Sequence, residues 1–539
     1  MTAELVGLKP DVGEYLAQYR ELGLTFEVPP VVNLRLISQA PAGREPVGAR
    51  DIAATAAIQC YAPGIAPMKA RPDDKAQSIA DSTLEAGHHT TRMHAHYTFL
   101  LVGATRDVVH DIFHGNPFYN SEQQSQRYVE ARAGNYAVPT VLTSEQREFY
   151  VGAAERSNQA YFEMLEGLKP EVERRIREMY PKSGWSVGRT RERLESKVVK
   201  VSQEVARYVL PIAQKTTMYH TLNELQLLRL WRGSQMGHFS DEARFIIGQM
   251  VEGVVAEDST FLSELDLPIE KRVGGVDTYV NEQNSEFDAL LKGRLSRLIG
   301  NAANVRLTLA DSARGVLGVS SWSSNNTKTL DFLMNPKKNP YLADVYEIGM
   351  FDPLTSVLRQ ASFTFATKLS HTADSQRQRH RRTPGATPPI FASYDGSFDY
   401  ITPMVIEGNA QLNERYDLIM RENYEAVERA REMGIPDEWA LRLLPNAHAL
   451  RVVESGDLFD WLHRLKQRLC YLAQEEIFFI SVDQAEQLTG IFPESTGMFQ
   501  APCGVAQVAG TGKCPEGDRW CGQPVWKWKI DQYKKGRLV

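Results

Sequence analysis

No stretch of this 539-residue chain approaches the roughly 18 consecutive apolar residues that a bilayer-spanning helix requires. The opening, Met1-Thr2-Ala3-Glu4-Leu5-Val6-Gly7-Leu8, has neither the basic run nor the long apolar core of a secretory leader. A cytoplasmic location is therefore expected. A dominant charge sign is missing too: 61 Lys and Arg stand against 67 Asp and Glu, a net charge of -6. Such a balance gives no global field for a nucleic acid or another polyanion, so local basic residues are read as sites. Cysteine is scarce, with five in all, and four of them fall in the last seventy residues. Paired C-x-x-C knuckles and a G-x-S-x-G elbow are absent, and the latter argues against an acylating serine.

What is present is an ordinary globular composition, 42% hydrophobic and 24% charged, able to bury a full core. The length exceeds the usual single domain and points to two large ones.

Two stretches match each other. One is Met93-His94-Ala95-His96-Tyr97-Thr98-Phe99, followed by Thr105-Arg106, His114-Gly115-Asn116 and a run from Glu122 through Ser125, Gln126 and Arg127 to Tyr128. The other is Gln360-Ala361-Ser362-Phe363-Thr364-Phe365, followed by Ser370-His371, Gln376 and Arg379-His380-Arg381. Each has lost polar residues that the other retains, as expected of a tandem duplication whose copies divide one site between them. Residues 33–37 and 304–309 read as equivalent alternating strands, each preceded by an amphipathic helix around 15–21 and 287–298. Long helices are expected at 144–180, 191–207, 410–433 and 436–444, with Glu/Arg pairs on solvated faces. The pattern gives an α+β fold: a first copy over 1–265, a linker over 266–286, a second copy over 287–500 and a Cys-containing tail over 501–539.

The ordered landmarks resemble those of the flavin-dependent thymidylate synthase family: H-x-x-F-T-F, a T/S-R corner, and Q-x-x-R-H-R leading into S-x-R-Y. Further on come A-R-x-V-L-P, here Ala206-Arg207-Tyr208-Val209-Leu210-Pro211, and A-Q-x-E-I, here Ala473-Gln474-Glu475-Glu476-Ile477. The resemblance covers most of the chain in two passes. It implies a mixed sheet with long helices in each copy, the two copies facing each other as a pseudo-dimer. It also implies FAD reduced by NADPH, methylenetetrahydrofolate as one-carbon donor, and C5 methylation of dUMP. Since the family is tetrameric, two such chains would rebuild its core as a homodimer. No nucleic-acid or membrane partner is expected.

Residue by residue, the resemblance places Glu122, Ser125, Gln126, Arg127 and Arg207 against the nucleotide from one half. Gln376, Arg379 and Arg468 would reach the same nucleotide from the other, with Arg468 and Gln376 nearest the chemistry. His94, Arg379, His380, Arg381, His463 and Asp457 fall at flavin-contacting positions. The residue types suit the task. Guanidinium forks bind oxyanions bidentately and keep their proton, and a positive group is needed where charge develops on the uracil oxygens. The opposite combination is damaged: His114-Gly115-Asn116 replaces R-H-R, Leu441 replaces an arginine, and Pro389 and Phe391 fall where Ser and Arg belong. Three departures touch the retained set. Gln124 reads as an inserted residue, Asp457 replaces an amide, and Phe459 replaces an arginine. Two other readings therefore stay open, a related flavoenzyme for another pyrimidine nucleotide and a non-catalytic flavin- or nucleotide-binding protein.

Cys470, Cys503, Cys514 and Cys521 could close a tetrahedral zinc site with four thiolates, and free thiols are the alternative. Some family members carry a similar cysteine pattern. Cys60 reads as packing, and His88, His89, His94 and His96 as a strand approach, since no acidic partner follows at ligand spacing.

Overall fold

The computed structural model describes residues 4–8, 12–36, 48–59, 63, 78–79, 81–83, 87, 89–115, 119–180, 188–236, 239–259, 261–265, 269–273, 284–319, 325–495, 497–512 and 514–539. Ten strands run in chain order: β1 (Glu4–Leu8), β2 (Val31–Leu36), β3 (His96–Thr105), β4 (Asn120–Gln123), β5 (Lys215–Asn223), β6 (Ile269–Val273), β7 (Ser296–Asn301), β8 (Ser362–Ser370), β9 (Gly385–Ala386) and β10 (Ala449–Asp457). Two four-stranded antiparallel sheets share one topology, β2-β3-β5-β4 and β7-β8-β10-β9, and a small third sheet pairs β1 with β6. Each four-stranded sheet is accompanied by long helices, so the fold is α+β and holds two copies of one architecture. Cys60 and His88 lie outside the described residues.

Alternation in the paired motifs sets the two central strands. Tyr97, Phe99 and Leu101 of β3, and Phe363, Phe365 and Leu369 of β8, are buried, as period-two patterning requires of a half-covered sheet. The long helix Ser144–Met179 starts at a capping box, in which Thr143 and Gln146 exchange side-chain and backbone hydrogen bonds. Its counterpart, Ala410–Glu432, packs against it, and Ser157 donates to Asn423 at 2.7 Å across the contact.

One expected strand is a helix. Residues 304–309 lie largely within Val305–Leu317, and the true counterpart of β2 is β7, which lies partly inside the helix expected at 287–298. The burial pattern shows why. A strand would place residues 305, 307 and 309 on one face, yet Leu307 is 45% exposed while Val305, Leu309 and Ala313 are buried at helical spacing. The sequence Val-Arg-Leu-Thr-Leu satisfies both periods over so short a window.

The copies meet along an antiparallel seam. Pro211 and Pro445 form the central bridge. On one side Ile212 N–H donates to the Leu444 carbonyl at 2.9 Å, mirrored on the other by Asn446 N–H to Leu210 at 2.8 Å. The next pair repeats the symmetry, with Ala213 N–H to Arg442 and Ala447 N–H to Tyr208, both at 2.9 Å. The A-R-x-V-L-P segment and its degenerate copy thus lie back to back on a pseudo-twofold axis.

Side chains at the seam cross between halves in matching fashion. In the second half Glu476 accepts from Ser370 N–H and Oγ, both at 2.6 Å, and from Tyr208 of the first half at 2.5 Å. In the first half Glu242 accepts from Thr105 N–H at 2.9 Å and Oγ1 at 2.7 Å, and from Arg442 Nη1 of the second half at 2.7 Å. Arg442 also reaches Asp107 at 3.0 Å and Glu438 at 3.3 Å, with its guanidinium over the Trp439 ring. Arg442 is 1% exposed, so its removal would strand the buried carboxylates of Glu242 and Asp107 and leave half-buried Glu438 without its partner. We expect Arg442→Ala to cost about 3–5 kcal/mol and to lower the midpoint of urea unfolding. An unchanged midpoint would mean the network carries no weight in joining the halves.

Candidate active site

A cleft of about 710 Å³ opens between the two halves. Arg127 and Tyr128 line it from the first half, and His463, Lys466, Gln467 and Arg468 line it from the second. Two further walls are the Ala343–Glu347 strap and tail residues that include Glu516 and Arg519.

Arg127 follows the end of β4, where the β4–β5 ladder continues one residue further through Gln124 N–H to the Thr217 carbonyl at 2.9 Å. The inserted Gln124 therefore lengthens the strand pairing, and its own carbonyl accepts from Arg106 Nη2 at 2.9 Å. Ser125 Oγ accepts from the Arg127 N–H at 3.2 Å and shapes the turn. The Arg127 guanidinium pairs with Glu204 and donates to the Leu472 carbonyl at 2.6 Å, a bond that crosses between halves. Glu122 is exposed on β4 and Gln126 is half-buried in the turn.

Arg468 ends the helix Leu458–Arg468 and is held on three sides. Its Nε donates to His380 Nε2 at 2.7 Å, Nη1 to the Gln376 side-chain oxygen at 3.3 Å and Nη2 to the Gln376 carbonyl at 3.1 Å. Gln376 in turn donates to Gln474 at 3.3 Å, and Gln474 donates to Tyr208. Arg468 is thus aimed by a relay running back to the seam. Burial, then the charges of Arg468 and Arg464, hold His380 well below the ordinary histidine value. His380 is therefore neutral, and its Nε2 lone pair is what the arginine needs.

The cluster is under-neutralised. Burial, then Arg127, Arg464 and Arg379, pull Arg468 down to about 9. Arg106 is likewise lowered to about 9 by burial, Arg207 and Arg379. Arg207 is 4% exposed with its Nη2 lacking a hydrogen-bond partner, as does the buried Nε of Arg106. Arg379 is exposed and has no carboxylate partner among the described residues. Several guanidiniums sharing few carboxylates form a receptor for a multiply charged anion.

Arg381 reaches back into the first half, donating to Asn120 at 3.0 Å and lying over the Tyr119 ring. His463 lines the cleft with its Nδ1 on Glu347. Asp457 caps its helix by accepting from Asp460 N–H at 2.8 Å and lies 3.6 Å from Arg359, so its carboxylate is already engaged. His94 stands apart, exposed just before β3, with no hydrogen bond to Arg379, His380 or Arg381 among the described residues.

The zinc expectation gains no support. Cys470, Cys503, Cys514 and Cys521 do line one cavity, but its volume is only about 10 Å³ and its walls include Tyr471, Pro502 and Val525. Among the described residues no three His, Cys, Asp or Glu side chains gather closely enough to hold a metal ion. Burial, then the neighbouring cysteines, pushes the Cys503 thiol up to about 12, and burial pushes the Cys470 thiol up to about 12 as well.

Three contributors escaped the sequence reading. Arg106 was visible only as half of a T-R corner, whereas Lys466 and Glu347 carry no motif and join the site through tertiary contact. Counting from the helix caps Asn223 and Asp457 places Ser234 opposite Arg468, and Leu441 lies opposite Arg207 at the seam. The mate of this cleft therefore lacks its arginines.

With the geometry in view, the comparisons are specific. The family model described as thymidylate synthase complementing protein matches residues 45–257 and again 311–494, together well over half of the chain. This chain belongs to that family. Among its curated relatives is a flavin-dependent thymidylate synthase of Clostridium tetani, 27% identical over 38% of this chain and 76% of that protein. Another, from Geobacter sulfurreducens, is 31% identical over 31% of this chain and 71% of its own length. No helix among the described residues is long and apolar enough to cross a membrane.

The motif that aims Arg468 also contains a titrating group. Burial raises Glu475 from an ordinary 4.5 to about 7, opposed by Arg537 and by the Met404 N–H that donates to it at 2.7 Å. Between those two values the folded chain holds a proton that the unfolded chain has released. Stability should therefore fall as pH rises from about 4.5 to about 7, at up to about 1.4 kcal/mol per unit. Glu475→Gln should flatten that segment of the stability–pH curve, measured by urea unfolding. A slope that survives the substitution would assign it elsewhere.

Proposed function

We propose that this chain is a fused flavin-dependent thymidylate synthase that methylates dUMP at C5, with one composite site per chain. The division into copies over 1–265 and 287–500, a linker over 266–286 and a tail over 501–539 belongs to this reading. The observation that supports it best is the arginine cluster shared between halves. Arg127 and Arg207 come from the first half, Arg379 and Arg468 from the second, and few carboxylates balance them.

In this reading Arg127, Arg207 and Arg379 take the nucleotide phosphate, with Glu122, Ser125 and Gln126 shaping the turn beside it. Arg468, aimed by Gln376 and neutral His380, sits where negative charge develops on the uracil oxygens as C5 becomes nucleophilic. His94, His380, Arg381, His463 and Asp457 are the flavin-side positions. FAD, reduced by NADPH, supplies the hydride chemistry, and methylenetetrahydrofolate supplies the carbon. The protein's own work is orientation, charge and exclusion of water. Two chains would pair as a homodimer that restores four copies of the fold.

Incubating the purified protein with dUMP, methylenetetrahydrofolate and NADPH should yield thymidylate, and a protein that binds FAD and dUMP yet yields none would overturn the assignment. Flavin absorbance should give close to one FAD per chain, because the mate site lacks its arginines, and two per chain would contradict the division. Arg127→Ala and Arg379→Ala should each weaken dUMP binding by roughly 1.5–3 kcal/mol, the range for a lost charged hydrogen bond. Calorimetry on the double variant should show less than the sum, since both residues serve one ligand.

A further inference from the structure

The second half contributes a wall to the cleft that no motif announces. The segment from Leu342 to Glu347 is pinned to the helix Leu458–Arg468 on both sides of a two-residue step. Before it, Lys466 Nζ donates to the Leu342 and Asp344 carbonyls, each at 3.4 Å. After it, the Glu347 carboxylate takes His463 Nδ1 and accepts from Arg382 Nη1 at 2.9 Å, with Lys466 Nζ 3.7 Å away. Glu347 adopts a left-handed backbone, φ 57°, which is uncommon for a side chain of its type. Partial burial works to raise the Glu347 carboxyl, but His463, Lys466 and Arg382 outweigh it and hold it at about 2.

Val345 and Tyr346 lie between these anchors, and the aromatic one is Tyr346. It is 86% exposed, lines the cleft, and has no hydrogen bond or ring contact among the described residues. Val345 beside it is 64% exposed, and Tyr128 lines the same cleft from the first half at 60% exposure. A backbone so firmly tied that presents an unoccupied aromatic ring to an arginine-rich cleft has the form of a preorganised stacking surface. From His463 to Arg468 the helix advances about 7.5 Å, room for a flat ring beside an anionic group.

We infer that Tyr346 is the stacking wall of this site, holding the flat heteroaromatic ring of the anionic nucleotide whose charge Arg127 and Arg468 receive. The inference rests on the nucleotide reading above. Ring stacking tolerates many bases, so Tyr346 supplies affinity while the relay around Arg468 supplies discrimination. The ring can come from FAD or from dUMP, and the two arms of the test separate them.

FAD binding is followed by flavin emission and dUMP binding by calorimetry, on wild type, Tyr346→Ala and Tyr346→Phe. Tyr346→Ala should weaken one of the two ligands by about 5- to 100-fold, with Tyr346→Phe within about two-fold of wild type because the ring remains. If the ring is flavin, emission of the bound flavin should rise in Tyr346→Ala as tyrosine quenching is lost. Glu347→Gln, which loosens the strap and leaves Tyr346 in place, should shift the same ligand in the same direction by less. Unchanged affinity for both ligands in Tyr346→Ala overturns the inference and leaves the nucleotide reading standing. A wild-type protein that binds neither ligand removes both. A Tyr346→Ala protein with altered sedimentation and unaltered affinities would make Tyr346 a protein–protein contact and overturn the inference as well.

Discussion

Everything in this molecule hangs on the antiparallel pairing of 208–213 with 442–447 across a pseudo-twofold axis. Four backbone hydrogen bonds and a proline bridge set the relative position of the two sheets, and the side chains beside them do the rest. Tyr208 and Arg442 occupy equivalent places at the seam, each reaching across to a buried glutamate of the other half. The backbone is symmetric there, and the chemistry is not. A tyrosine hydroxyl leaves Glu476 to be satisfied by neutral donors, whereas a guanidinium draws Glu242, Asp107 and Glu438 into one ion network.

This single asymmetry separates a site from a structural core. Where Arg442 stands, positive charge is consumed locally by three carboxylates and packed against Trp439. Where Tyr208 stands, the corresponding volume is organised by a neutral relay; Arg127 pairs with Glu204, while Arg106, Arg207 and Arg468 have no carboxylate pair among the described residues. Burial first, and the neighbouring guanidiniums second, lower Arg106 and Arg468, and both effects work against folding. A site built this way carries stored electrostatic cost until an anion arrives. Duplicating it would double the cost, and the ion network in the mate position instead helps to hold the halves in register.

The sequence made the composite site legible because its landmarks are polar and ordered. Arginines at fixed offsets from H-x-x-F-T-F and A-R-x-V-L-P belong to one half or the other, and the structure brings Arg127 and Arg468 to one cleft. The helices expected at 144–180 and 410–433 were legible to within a residue and Gly188–Ala206 began three residues early, whereas 436–444 is not a long helix but a short α turn, Asp437–Ala440, followed by a 3₁₀ turn, Leu441–Leu443. Other features were not. The strand expected at 304–309 failed because five residues satisfy two periodicities, and only burial of 305, 309 and 313 decides between them. Zinc was suggested by four cysteines late in the chain; the structure brings all four to one small cavity, but among the described residues no three His, Cys, Asp or Glu side chains gather closely enough to hold an ion. The strap has no local signature at all: Glu347 earns its position from partners 35 and 116 residues away.

The relay that aims Arg468 shows why the two halves must be read together. Gln376, Gln474 and Tyr208 transmit position from the seam to the cleft through side-chain hydrogen bonds. None of the three carries charge, so none competes with the ligand for the guanidinium. A carboxylate at position 376 would hold Arg468 more tightly and also cancel it. The first half carries Asp111 at the place equivalent to Gln376 and Ser234 at the place equivalent to Arg468, so aim and charge are missing there together. A neutral amide beside an arginine is thus the mark of a site that still has work for its charge, and an arginine ringed by carboxylates is the mark of one that has become scaffold.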